Sequence, residues 1–325
     1  MPYTHLTHEE RYVIFLLNRL RFSRRAIAQI LGRSPSTISR EMRRNRVKGS
    51  YYGHRSAQKY ASDRRANRSY PHKIHLPQQI ELIEQMLRKL WSPEIIAKRL
   101  PKHMRVSHQT IYTWLERHRP DLKRYLWLGT KRIRKHYGSK DSRGVIPDRK
   151  SISERPLDAD ERKRLGDWEG DTLVGARHKG SILSLVDRRS RYCMLTLLPD
   201  RTSQRVSGSI LNRMNTLPKR LRRTLTVDNG KEFTEHQLIS KKAKLDVYFA
   251  DAYASWQRGS NEQLNKLVRR WIPKKTDFRS LRDDQVAEVE YLLNNRPRKC
   301  LGYLSPAEFL IKELGACPPG VALQT

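Results

Sequence analysis

Three short β-type segments, residues 168–174, 182–186 and 192–198, follow one another through brief polar turns such as Asp187-Arg188-Arg189-Ser190. Apolar segments of that length and spacing fold as an antiparallel meander. After them the pattern changes. Residues 203–217 are helix-like, 223–227 form an apolar strand, 234–243 a helix and 247–250 a short strand. A further helix begins near residue 260, and the pattern predicts a long one over 283–295.

Three strands followed by alternating helices and strands is the order of an α/β ribonuclease H-like fold of the retroviral integrase type, expected here over residues 161–315. In that layout three separated carboxylates converge. Asp171 lies on the first strand, Asp228 ends the fourth, and Glu262 projects from the following helix, with 33 residues between the last two. Three carboxylates drawn together can hold two divalent metal ions, the arrangement that cuts and joins phosphodiesters. An isolated Asp is more often a surface or turn residue, and Asp228-Asn229-Gly230 alone would build a turn. The apolar lead-in Leu225-Thr226-Val227 instead sets this charge at the tip of a buried strand. Glu169, Asp187, Glu232 and Asp251 read as loop or surface acids. Asp187 is the closest competitor, because it also ends a strand.

Charge narrows the partner. The 325 residues carry a formal charge of +34, with a pI near 10.5. Residues 1–150 hold 35 Lys and Arg against 11 Asp and Glu, and the remainder 32 against 22. So large a one-signed excess points to a polyanion, in practice nucleic acid. Cys193, Cys300 and Cys317 are few, odd in number and far apart, which fits a reducing compartment rather than a disulfide framework or a zinc site. There is no signal-like apolar run at the start and no stretch long enough to span a membrane, so a soluble cytoplasmic protein is expected.

The N-terminal part reads as all-α. Residues 8–20 are helical, with Val13, Leu16, Leu17 and Leu20 along one face. Ser23 caps a second helix, Gly32 breaks it, and Ser34-Pro35 starts a third that runs to about Asn45. Helix, glycine turn and capped helix make a helix-turn-helix unit over 1–50. Ser36, Thr37, Arg40, Arg43 and Arg44 are left free for phosphates and base edges. A basic connector, 51–77, precedes a second, similar unit at 78–117. There Ser92-Pro93 and Ser107 cap successive helices, and His108, Gln109, Thr110 and Thr113 point outward. Residues 118–160 are expected to be a basic linker and 316–325 a tail. In the catalytic part, Trp256 is open to two readings, core or base-stacking, and Arg258 faces phosphate. Asn265 and Lys266 continue the Glu262 helix toward DNA, although a solvated basic face would also account for Lys266.

Several stretches resemble insertion-sequence DDE transposases of the IS-thirty family. The first catalytic motif is matched by Gly166-Asp167-Trp168-Glu169-Gly170-Asp171-Thr172. The second is matched by Thr226-Val227-Asp228-Asn229-Gly230-Lys231-Glu232-Phe233, and the third by residues 253–262, which end in Gly259-Ser260-Asn261-Glu262. Residues 272–278, Asn294-Asn295-Arg296-Pro297-Arg298-Lys299, and Leu31 to Glu41 are also of the family type. The resemblance runs from about residue 4 to 312. It departs at Asp167, where the family usually has His, at Lys266, where Gly is usual, and at Cys300, where Thr is commoner. The extra acid at Asp167 either perturbs metal affinity or faces solvent.

The resemblance implies catalytic and metal-binding roles for Asp171, Asp228 and Glu262, with two Mg²⁺ ions per site and Mn²⁺ as a substitute. It further implies a bacterial, nucleoid-associated enzyme acting on double-stranded DNA, namely the element's terminal inverted repeats and a target. Cleavage and strand transfer through a circular intermediate follow, in a homodimer or larger synaptic assembly. Two other classes remain open at this stage. A repressor would bind through the helices and never cut, and a packaging protein would bind without sequence preference.

Overall fold

The computed structural model describes residues 5–46, 51–66, 74–127, 146–251 and 254–315, in two compact units, Met1–His75 and Leu76–Thr325. The first is helical. Helix α1 (His8–Arg19) opens on a capping box between Thr7 and Glu10. The serines expected to cap α2 (Arg24–Ile30) and α3 (Pro35–Arg44) do so, Ser23 accepting from the Ala26 amide and Ser34 from that of Thr37. Between these helices Gly32 sits at φ +59°, a left-handed conformation that costs glycine little.

The phase of α1 differs from the expected one. Ile14 is buried together with Arg11, while Leu16 and Leu20 are 40% and 67% exposed. The cause is a buried ion pair: Arg11 Nε meets Glu41 Oε1 at 2.8 Å, and the Tyr52 hydroxyl donates to the same oxygen. Turning Arg11 inward rotates the leucines out. Residues read as connector also form a helix, α4 (His54–Ala66), which packs on α1. Residues 67–73 lie outside the described residues.

The second unit begins with α5 (Pro77–Arg88), α6 (Pro93–Arg99) and α7 (His108–His118), the last two capped by Ser92 and Ser107. Residues 128–145 of the expected linker lie outside the described residues. The part nearest the sheet is structured, giving β1 (Lys150–Ser151) and α8 (Leu157–Asp160). Then come β2 (Asp167–Val174), β3 (Ser181–Asp187), β4 (Cys193–Leu198), α9 (Ser203–Asn215), β5 (Thr224–Val227), α10 (His236–Ala243), β6 (Asp246–Phe249), α11 (Gly259–Trp271), α12 (Asp283–Asn294) and α13 (Pro306–Leu314). The sheet order is β1-β6-β5-β2-β3-β4. The meander β2-β3-β4 is antiparallel, whereas β5 runs parallel to β2, β6 to β5, and β1 to β6. The fold is the α/β ribonuclease H-like one that the sequence pattern predicts.

Strand alternation divides β2 between two cores. Trp168 enters the core on the α9, α10 and α13 side, and Leu173 the core under α11 and α12. Helix α12 also closes the β4 edge. The Asn294 side chain accepts from the Cys193 amide and donates to the Cys193 carbonyl, both at 2.8 Å, and Glu290 accepts from the Leu195 amide at 2.6 Å. An exposed strand edge is a template for aberrant pairing, and two side chains here occupy it.

Helices α5–α7 are clamped to the integrase-like part. Arg270 donates to the carbonyls of Leu90 and Tyr125, Arg296 donates to Leu90, and Glu94 receives Lys299 and Tyr303. Asn294→Ala leaves both Cys193 backbone groups unpaired. We expect a stability loss of about 1–3 kcal/mol for each, read from urea unfolding.

Candidate active site

The site is built on the face of β2 that meets α11. Glu169, fully buried, accepts from Arg188 Nη1 at 2.6 Å and from the Asn261 amide in the first turn of α11 at 2.9 Å. Two residues along the same strand face, Asp171 Oδ2 accepts from Asn265 Nδ2 at 2.7 Å. The Asn265 carbonyl oxygen accepts from Ser184 Oγ at 3.1 Å, which fixes the orientation of the amide. Strand and helix are thus joined at two successive rungs.

Asp228 follows β5, the parallel neighbour of β2, and its Oδ1 accepts from the Gly230 amide. Its Oδ2 lies 3.2 Å from Arg258 Nη2, while Arg258 Nη1 lies 3.5 Å from Asp171 Oδ1. One guanidinium therefore bridges the two aspartates. Glu262 lines a cavity of about 720 Å³ together with Asp171, Arg258 and Asn265, and its carboxylate accepts from Lys266 Nζ at 2.7 Å. Among the described residues no three His, Cys, Asp or Glu side chains are gathered as a ready metal-binding group. Arg258 and Lys266 pair with all three acids.

The other acids separate cleanly. Asp167 is buried, paired with Arg164 and accepting from Thr224 Oγ1 at 2.8 Å, so it neither faces solvent nor joins the cavity. Glu169 and Asp187, read from the sequence as loop or surface residues, are buried. Asp187 accepts from the Gly166 amide and from the amide and hydroxyl of Ser190. Both acids are stitched into the backbone around the site, and a strand-and-turn pattern cannot reveal such partners. Glu232, also set aside, lies beside the aspartates. It accepts from Thr172 Oγ1 at 2.8 Å, and a Cβ on Gly230 would sit 2.5 Å from its Oε2 and 2.9 Å from Asp228 Oδ1. The four-residue spacing from Asp228 to Glu232 was the available signal.

On α3, Ser36, Arg40, Arg43 and Arg44 are exposed, and Thr37 is half-buried with its hydroxyl on Ser34. On α7, His108 and Gln109 are exposed, while Thr110 and Thr113 are partly covered. Trp256 is 75% exposed, which removes the core reading. Arg258, Asn265 and Lys266 all face the acids rather than open solvent alone.

Residues 2–45 match the model of a helix-turn-helix domain, and residues 161–255 that of an integrase core domain. The chain is 38% identical over 310 residues to the transposase for insertion sequence element IS4351 of Bacteroides fragilis, covering 94% of each chain. It is 36% identical over 325 residues to the transposase InsI for insertion sequence element IS30A of Escherichia coli K12, covering 94% of this chain and 83% of that one. The chain belongs to the IS30 family of insertion-sequence transposases. It is a DNA transposase of the DDE class, with a helix-turn-helix for DNA and an integrase core whose chemistry depends on divalent metal. The core match ends before Glu262, but the similarity to the relatives runs through it. Among the described residues no helix of the transposase is long and apolar enough to cross a membrane.

Burial pushes the Asp171 carboxyl above its ordinary value of 3.8; Arg258 opposes the rise and Asp228 adds to it. A raised folded-state value means the folded protein holds this proton more tightly than the unfolded chain does. Ionisation then subtracts stability as pH climbs from 3.8 through the raised value. Asp171→Asn removes that penalty. In EDTA at neutral pH its melting temperature is expected to exceed wild type, with the gap closing once the pH falls below 3.8.

Proposed function

We propose that Asp171, Asp228 and Glu262 are the catalytic, metal-binding acids of this transposase, holding two Mg²⁺ ions for which Mn²⁺ can substitute. The observation that carries this reading is the shared guanidinium: Asp171 and Asp228 direct oxygens at one positive group, at 3.5 and 3.2 Å, beside the cavity that Glu262 also lines. An oxygen-only donor set already drawing in a cation suits hard divalent ions. When bound, such ions make an attacking water or DNA 3′-hydroxyl more acidic and offset charge on the departing 3′-oxygen.

The chain's own residues prepare the place. Asn265 holds Asp171 from one side, and Glu169 sets the helix that carries Glu262. Arg258 and Lys266, which pair with the acids, turn to the phosphates of an incoming strand. Water as nucleophile cleaves the element's end, and the resulting 3′-hydroxyl as nucleophile joins it to a target.

Recognition of the terminal inverted repeats falls to α3, through Ser36, Thr37, Arg40, Arg43 and Arg44, and to α7, through His108, Gln109, Thr110 and Thr113. Trp256, exposed on the surface, stacks on a base. Two helix-turn-helix domains, within 1–50 and 78–117, precede the catalytic domain, which takes in β1 and α8 as well as 161–315. The element passes through a circle with abutted ends in a homodimer or larger synaptic assembly, in the cytoplasm and associated with the nucleoid.

Each tenfold in rate corresponds to about 1.4 kcal/mol, and metal ions supply several kcal/mol of charge stabilisation. Glu262→Gln should therefore slow cleavage of a labelled duplex carrying the element's own end by more than about a hundredfold in Mg²⁺, with duplex binding intact. Tight binding by wild type and variant alike, with cleavage by neither in any metal or paired-end condition, would overturn the assignment in favour of a non-cutting DNA binder.

A further inference from the structure

The chemistry above leaves the arginines of Asn294-Asn295-Arg296-Pro297-Arg298-Lys299 without a part. Both line a second cavity, of about 850 Å³, joined there by Arg191 from the turn between β3 and β4. This cavity shares Trp127, Glu262 and Lys266 with the first, so Glu262 stands on the ridge between them.

The second cavity has a surplus of positive charge. Arg298 is 8% exposed and its Nε has no acceptor; the Nε of Arg191 also has none. Arg191 donates to Ser260 Oγ, Arg298 to the Leu293 carbonyl and Arg296 to that of Leu90, all neutral oxygens. Among the described residues none of the three meets a carboxylate. The acids in the cavity wall are already engaged, Glu94 by Lys299 and Tyr303 and Glu262 by Lys266. Burial, with Arg298 and Arg270 nearby, pulls the Arg296 guanidinium down to about 9. Clustered guanidinium groups without counter-charge are unfavourable unless an anion joins them, and the planar fork of arginine matches phosphate oxygens in pairs.

We infer that this second cavity is a phosphate site for DNA backbone, taken by Arg191, Arg296 and Arg298 on the opposite flank of Glu262 from Asp171. The inference rests on the transposase reading for its ligand but not on which acids are catalytic. Two duplexes can supply the phosphate, the element's end and the target.

The test uses full-length protein in EDTA, so that no cleavage is needed. Anisotropy is followed for a labelled end duplex and, separately, for a labelled unrelated duplex added to protein already holding a pre-cut end. Salt is varied for wild type, Arg191→Gln and Arg298→Gln. Each lost phosphate contact should lower the slope of log affinity against log salt by about 1. A drop on the end duplex assigns the cavity to the element, and a drop only on the unrelated duplex assigns it to the target. Either supports the site, with Arg191→Lys keeping the wild-type slope. Wild-type slopes on both duplexes, in variants that still melt cooperatively, overturn it. If Arg298→Gln fails to fold, Arg191→Gln decides alone, since its side chain gives up one hydrogen bond, to Ser260.

Discussion

The geometry of the candidate active site depends on one buried carboxylate. Glu169 has no solvent to stabilise its charge, so it needs two strong donors, and it finds them on different elements, Arg188 and the first turn of α11. The second bond fixes the height at which the helix meets the sheet. From there two periodicities carry the alignment forward. Two residues along a strand advance about 6.6–6.8 Å, and four along a helix about 6.0 Å. Asp171 and Asn265 therefore fall opposite one another as Glu169 and Asn261 do. Glu262, next to the anchored Asn261, inherits its position from the same contact.

A strongly basic chain has a particular way of storing such acids. Asp171 and Asp228 stand close enough that each opposes the other's charge, and Glu262 lines the same cavity as Asp171. Arg258 and Lys266 are near at hand and pair with these acids. The exposed Lys266–Glu262 pair is weak, whereas the pairs that Arg258 makes are more covered. Part of the excess of lysine and arginine thus pairs with the chain's own acids.

The fold was largely legible in the sequence because strands and helices announce themselves by local periodicity. The meander, the existence of β5 and β6 as strands, and the serine caps of α2, α3, α6 and α7 all depend on neighbours within a few residues. What escaped depends on partners far along the chain. Leu16 and Leu20 look like core until Arg11 finds Glu41, thirty residues away. Glu169 and Asp187 look like surface acids until Arg188, Asn261 and Gly166 are brought to them. The edge strand β1 has two residues, too few for any alternation, and only its pairing with β6 defines it. At the candidate site, motif resemblance drew attention to the three acids. It carried no information on the cation that bridges two of them.

The clamp on α5–α7 bears on how DNA reaches the acids. Leu90, at φ +60°, turns its carbonyl to both Arg270 and Arg296, and Tyr125 receives Arg270 as well. Arg270 also lies over the Trp127 ring, 5.3 Å from its centroid. It belongs to the same helix as Glu262, and Arg296 belongs to the motif that walls the second cavity. The segments that follow α5 and α7 are thus tied, through two arginines, to α11 and to the stretch after α12. A duplex gripped by α7 would have its register against Glu262 set by this packing rather than by a linker.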